Sequence, residues 1–122
     1  MRPLLIVLAA AAIAAPVTAA EKGVPVATPN GKPVDCVRLN DIRETHVRSD
    51  QVIDFELRNR TVLRNTLPNS CPQLGFEERF AYSVTAGQLC SVDTITVLTS
   101  GGGLTRGATC GLGNFQPVTL TK

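Results

Sequence analysis

From Gln51 to Arg58 apolar and polar residues alternate, so that in an extended strand Ile53, Phe55 and Leu57 line one face and Asp54, Glu56 and Arg58 the other. The next run, Thr61 to Leu67, reads as the returning antiparallel strand. Side chains repeat every two residues along a strand, so the length of the connection decides which of them meet. Placing Leu63 opposite Phe55 requires partner numbers that sum to 118 and leaves Arg58-Asn59-Arg60 as a three-residue loop. Asn59 or a neighbour must then adopt the left-handed conformation such loops need. The same register turns Asn65 inward opposite Ile53, where its amide requires hydrogen-bond partners.

Further along, Arg79 to Val84 alternates with Phe80, Tyr82 and Val84 on one face, Asp93 to Leu98 reads as a strand, and Phe115 to Leu120 as a last one. Val37 to Ile42 fits a strand or a single helical turn equally well. Pro68-Asn69-Ser70-Cys71-Pro72, Ala86-Gly87 and Ser100-Gly101-Gly102-Gly103 supply the turns and loops between them. No segment has the period of a long amphipathic helix. The pattern predicts an all-β domain, a small antiparallel barrel or sandwich of five to seven short strands, with the closed barrel slightly favoured because closure removes exposed edges.

The ends of the chain have a different character. Arg2, the apolar run from Leu4 to Ala15, the helix-breaking Pro16 and the small residues Val17-Thr18-Ala19-Ala20 have the layout of a signal peptide over residues 1–20, cleaved after Ala19 or Ala20. The first cysteine is Cys36, so no lipid-accepting cysteine follows the cleavage site, and no stable membrane span is expected once the signal is removed. Residues 21–35 carry Pro25, Pro29 and Pro33 among small and polar residues. They predict a Pro-rich flexible linker, because they bury too little apolar surface to offset their ordering entropy. Residues 36–120 remain as the folded β domain.

Four cysteines set its covalent framework. Cys36, Cys71, Cys90 and Cys110 are separated by 34, 18 and 19 residues, with no C-x-x-C and no close Cys/His pair, which excludes a zinc finger or a thioredoxin-like motif. In an oxidising compartment they predict two disulfides. Of the three pairings, the reading favours Cys36–Cys110, tying the start of the domain to its end, with Cys71–Cys90 nested inside.

Composition narrows the function classes. The chain of 122 residues suits one domain, and with no Trp, one Tyr and one His it cannot form a multi-histidine metal site or an aromatic platform for nucleic acid. Between Cys36 and Phe115 eight arginines balance eight acids, and all three lysines, Lys22, Lys32 and Lys122, lie outside that span. No basic face is visible, so no nucleic-acid partner is expected. No cofactor or metal is expected either.

Three residues stand out as functional candidates. His46 would share a strand face with Glu44, an acid/base pair in principle, although an exposed polar pair is the plainer reading. Asp93, three residues after Cys90, suits a carboxylate that accepts backbone hydrogen bonds or pairs with Arg64, Arg79 or Arg38. Asn65 is the third, for its inward register. The glycines at 101–103, 107, 111 and 113 lack the G-K-[ST] of a phosphate loop and suit turns and tight backbone positions around Cys110. No G-x-S-x-G or other nucleophile motif is present, so no catalytic residue is assigned.

Four segments carry a family likeness: Leu63-Arg64-Asn65-Thr66-Leu67-Pro68, Cys71-Pro72-Gln73-Leu74-Gly75-Phe76, Leu89-Cys90-Ser91-Val92-Asp93-Thr94-Ile95 and Gly107-Ala108-Thr109-Cys110-Gly111-Leu112-Gly113. Together they resemble a family of short exported proteobacterial proteins with four cysteines, classed as a domain of unknown function. The likeness runs from Cys36 to Pro117, about two-thirds of the chain. It implies a periplasmic or secreted bacterial protein and transfers no functional residues. The expectation is a non-enzymatic binding or structural module of the cell envelope, with an envelope component or a protein as partner. The alternatives are a secreted protease-inhibitor-like protein presenting the 67–72 loop and a small hydrolase using His46.

Overall fold

The computed structural model describes residues 23–84, 86–100 and 105–121. The expected signal peptide, residues 1–20, and the glycines at 101–103 lie outside them. The fold is antiparallel throughout. Its largest sheet has five strands in the order β1 (Val26–Pro29), β10 (Phe115–Thr121), β5 (Val62–Thr66), β4 (Val52–Leu57) and β3 (Ile42–Val47). A two-stranded ladder joins β2 (Cys36–Arg38) to β7 (Gln88–Cys90). A three-stranded sheet runs β6 (Phe80–Tyr82), β8 (Thr94–Thr99), β9 (Thr105–Gly111). A single short helix, α1 (Leu74–Glu77), sits between β5 and β6.

The β4–β5 hairpin has the register that parity requires, with Phe55 opposite Leu63 and Ile53 opposite Asn65. Its loop is Arg58-Asn59-Arg60: the Arg60 N–H donates to the Leu57 carbonyl at 2.9 Å and the Leu57 N–H to the Thr61 carbonyl at 2.8 Å. Arg60 takes the left-handed conformation, with φ 71°, and the Asn59 side chain accepts the Thr61 N–H at 3.0 Å. The Val37–Ile42 stretch, ambiguous in sequence, is both things in succession: β2, one 3-10 turn (Leu39–Asp41), then β3.

The inner face of the large sheet supplies Ile53, Phe55, Leu63, Asn65 and Phe115 to the core, all essentially excluded from water. Phe55 and Phe115 meet edge to face with ring centroids 5.3 Å apart. Val37 of β2, Leu89 of β7, Ile95 and Val97 of β8, Leu74 of α1 and Leu112 complete one contiguous cluster. The five-stranded sheet is open, with β1 and β3 at its edges, and its inner face shares one apolar cluster with residues of the two smaller sheets, so among the described residues no single sheet closes into the barrel the sequence slightly favoured. Ten strands are present among the described residues, more than the expected five to seven. Two of the unanticipated ones, β1 and β7, are four and three residues long, too short for alternation to reveal them.

Two expectations need correction. The Pro-rich stretch is no free tether over its whole length. Val26–Pro29 pairs with β10 as an edge strand, the Asn30 N–H donates to the Pro117 carbonyl at 3.0 Å, and Val34 and Phe115 exchange two backbone hydrogen bonds of 2.9 Å. Backbone pairing here offsets ordering entropy that apolar burial could not, and an edge strand tolerates proline. Pro117 itself lies in β10, but its carbonyl, and hence its missing N–H, faces the β1 side rather than β5.

The disulfides are Cys36–Cys90 and Cys71–Cys110, not Cys36–Cys110 and Cys71–Cys90. Cys36 and Cys90 are directly opposed on β2 and β7, with Cα atoms 4.0 Å apart. The flanking bonds, Ser91 N–H to Asp35 carbonyl and Leu39 N–H to Gly87 carbonyl, make theirs a non-hydrogen-bonded pair, where opposed side chains come closest. Cys71, at the end of the crossover after β5, reaches Cys110 on β9, Cα to Cα 5.9 Å. The bridges span 54 and 39 residues and their loops interleave instead of nesting. On the chain-entropy account each restricts the unfolded chain by about 4 kcal/mol. Peptide mapping of the unreduced protein should recover Cys36 linked to Cys90 and Cys71 linked to Cys110, and a Cys36–Cys110 peptide would contradict this topology.

Candidate functional site

The outer face of the large sheet gathers most of the charged groups that the sequence brings into its strands. Alternation in β4 sends Asp54 and Glu56 to this face, and the registers with β3 and β5 place His46 and Arg64 on either side of Asp54, and Glu44 opposite Glu56. Two clusters result.

The first is closed and structural. Asp54 faces outward yet is fully buried. Arg64 grips it with two hydrogen bonds, Nε to Oδ1 at 2.8 Å and Nη2 to Oδ2 at 2.9 Å. Arg48, from the turn after β3, adds a third from Nε to Oδ2 at 2.9 Å. Burial pushes the Asp54 carboxyl up, but the hydrogen bonds from Arg64 and Arg48, aided by their charge, outweigh it and hold the group below its ordinary value of 3.8. Arg64, a proposed partner of Asp93, is thus committed elsewhere.

The second cluster is open to solvent. His46 Nε2 lies 3.3 Å from Glu44 Oε2 and 3.5 Å from Glu56 Oε2. Arg43 Nη1 lies 3.7 Å from the other oxygen of Glu56, Oε1. The side chains of Glu44 and His46 are 52% and 39% exposed, that of Glu56 25%. The pairing of His46 with Glu44 follows the shared-face expectation. Glu56 was missing from it, since it enters from the neighbouring strand. The signal that could have found it is the β3–β4 connection, where the Ser49 hydroxyl accepts the N–H groups of Gln51 and Val52 and fixes the turn.

Asn65 and Asp93 serve the backbone. Asn65 is buried in the core and exchanges hydrogen bonds with Gly113: its Nδ2 donates to the Gly113 carbonyl at 2.7 Å, and its Oδ1 accepts the Gly113 N–H at 2.8 Å. Only glycine fits there, because a Cβ at 113 would lie 2.2 Å from the Thr66 carbonyl oxygen. Asp93 accepts the Cys90 N–H at 2.7 Å through its carboxylate, while its own N–H donates to the Cys90 carbonyl at 2.9 Å, closing the turn beside the Cys36–Cys90 bridge. His46, Asn65 and Asp93 therefore share no partner.

Shallow grooves lie elsewhere. One of about 270 Å³ is lined by Arg38, Asn40, Asp41, Ala86, Gly87 and Gln88, and one of about 200 Å³ by Asp41, Leu57, Arg58 and Asn59. Neither includes a candidate residue. Among the described residues no helix is long and apolar enough to cross a membrane. No protein-family model matches the chain, and neither a curated protein nor a solved structure matches it.

The Asp54 cluster makes a pH prediction. A carboxyl whose folded pKa lies below its unfolded value contributes stability above the unfolded value, and that contribution is lost as pH falls through the folded one. Asp54 therefore stabilises the fold above pH 3.8 and ceases to as acid protonates it. Asp54→Asn should cost about 3 kcal/mol at neutral pH, the low end for breaking a buried ion pair because both arginines keep some contact with water. It should also flatten part of the acid slope in urea denaturation series from pH 7 to 2. A variant as stable as the parent at pH 7 would show that the arginine clamp contributes nothing.

Proposed function

We propose that this chain is an exported, non-enzymatic binding or structural module of a bacterial cell envelope, periplasmic or secreted, that engages an envelope component or a protein partner. The observation that carries the reading is the commitment of its buried and half-buried polar groups to architecture: Asn65 to Gly113, Asp93 to the Cys90 turn, Asp54 to two arginines. What remains among the described residues is a disulfide-closed β surface on which no nucleophile is assembled. Two disulfides are characteristic of an oxidising, extracytoplasmic environment, and the leader-like residues 1–20 and the likeness to the exported four-cysteine family support the same placement.

The geometry gives less support to the other two readings. In the 67–72 loop, Leu67 and Cys71 are fully buried and tied to the backbone of Gln51 and Asp50, by N–H donation at 2.8 and 2.7 Å. That leaves Pro68, Asn69 and Ser70 as a short exposed span between two anchors, little for a protease cleft to grip. His46 lies on an open sheet face with carboxylates as its neighbours, a poor setting for a hydrolase.

In-cell crosslinking of the tagged protein, followed by mass identification, tests the proposal. The expected result is one reproducible envelope partner that also binds the purified protein. Capture of a protease that the purified protein inhibits would overturn it. So would substrate turnover that His46→Ala abolishes.

A further inference from the structure

We propose that Glu44, His46 and Glu56 form a binding site for a divalent transition-metal ion of the zinc type, held by one imidazole nitrogen and two carboxylate oxygens. The site goes beyond the binding-module reading and does not depend on it.

The first support is distance. Glu44, His46 and Glu56 each offer one ligand atom, an imidazole nitrogen or a carboxylate oxygen, and the three lie within 4.8 Å of one another. The imidazole nitrogen is 3.3 and 3.5 Å from the two oxygens. Charge-assisted hydrogen bonds between such groups run at about 2.7–2.9 Å, so both contacts are long for direct pairing. A tetrahedral ion with bonds of about 2.0–2.1 Å instead separates its ligand atoms by roughly 3.3–3.4 Å. The two separations from the imidazole nitrogen are close to two edges of such a coordination tetrahedron.

The second support is charge. Glu44 and Glu56 are direct cross-strand partners on one face, an arrangement that is destabilising between like charges. The nearby Arg48 and Arg64 cannot relieve it, since both are bonded to Asp54. Arg43 reaches only Glu56 Oε1 and leaves Oε2 turned toward His46. Arg43 is therefore placed to orient the ligating carboxylate from behind, as outer partners of metal ligands do.

The donor set selects the ion. An imidazole with two carboxylates suits zinc or a neighbouring transition metal, whereas calcium requires six to eight oxygens, which these three side chains do not supply. The three ligands come from adjacent strands, β3 and β4, so the ion would bridge the edge strand to its neighbour and keep a fourth position toward solvent.

The test uses the purified, disulfide-bonded protein without a histidine tag, titrated with zinc chloride by calorimetry and by NMR. His46 is the only histidine in the chain, so its ring resonances report the site without ambiguity. The expected result is one ion per chain, a shift of the His46 imidazole signals, and at least about tenfold weaker binding in both His46→Ala and Glu56→Gln. Circular dichroism should show both variants folded, as the exposure of these side chains implies. Absence of zinc binding overturns the proposal, as does binding that leaves the imidazole signals unmoved or that Glu56→Gln does not weaken. Calcium competing as well as zinc would overturn the choice of ion.

Discussion

Three residues, Arg58-Asn59-Arg60, fix how β4 lies on β5, and that register determines which face every side chain of the central hairpin occupies. Shifted by one residue, Phe55 would oppose Arg64, Ile53 would oppose Thr66 and Leu63 would oppose Glu56, so the apolar faces of the two strands would no longer coincide. In the register adopted, Ile53, Phe55 and Leu63 share the interior with Asn65, while Asp54 and Arg64 meet outside. Asn65 then reaches across the core layer to hold Gly113, two residues before Phe115, and so seats the start of β10. Phe115 completes the edge-to-face contact with Phe55 and bonds Val34 through its backbone. The path from one loop length to the placement of the chain's first described strand is continuous, and each link is a hydrogen bond or a ring contact.

The sequence made the local part of this legible and little of the remainder. Parity and a three-residue loop were enough for the hairpin, because the repeat of a strand is fixed by geometry. The inward Asn65 was legible for the same reason; its partner was not, since Gly113 lies 48 residues away and nothing in the intervening chain encodes the contact. The cysteine pairing failed where it relied on chain order: the β2–β7 ladder that brings Cys36 onto Cys90 consists of two three-residue strands with no periodic signal. Strand β1 was hidden by Pro29 at its end and Pro25 just before it, which argue against a central strand but not against an edge. Glu56 was assigned correctly to the outer face, yet its neighbours could be named only once the β3 register was known.

The outer face shows how identical chemistry takes two fates according to cover. Asp54 and Glu56 are two residues apart on one strand and face the same way. Asp54 is enclosed by two guanidinium groups and saturated with hydrogen bonds, so it behaves as a structural anion. Glu56 has one distant arginine and a histidine, and its side chain stays partly open to solvent. The difference arises in the neighbouring strands: β5 supplies Arg64 opposite Asp54, whereas Val62 lies opposite Glu56.

The interleaved bridges bear on how the protein is made. In chain order the first cysteine joins the third and the second joins the fourth, so no cysteine is bonded to its nearest neighbour in sequence. A chain oxidised as it emerges, amino terminus first, presents Cys36 and Cys71 to each other before either native partner has appeared. Any bond formed at that moment is a wrong one and must be undone by thiol exchange while a free thiolate can still reach it. For a chain oxidised in that order, exchange to the native pairs has to precede the burial of Cys71 in the core, which puts its sulfur out of reach of a thiolate.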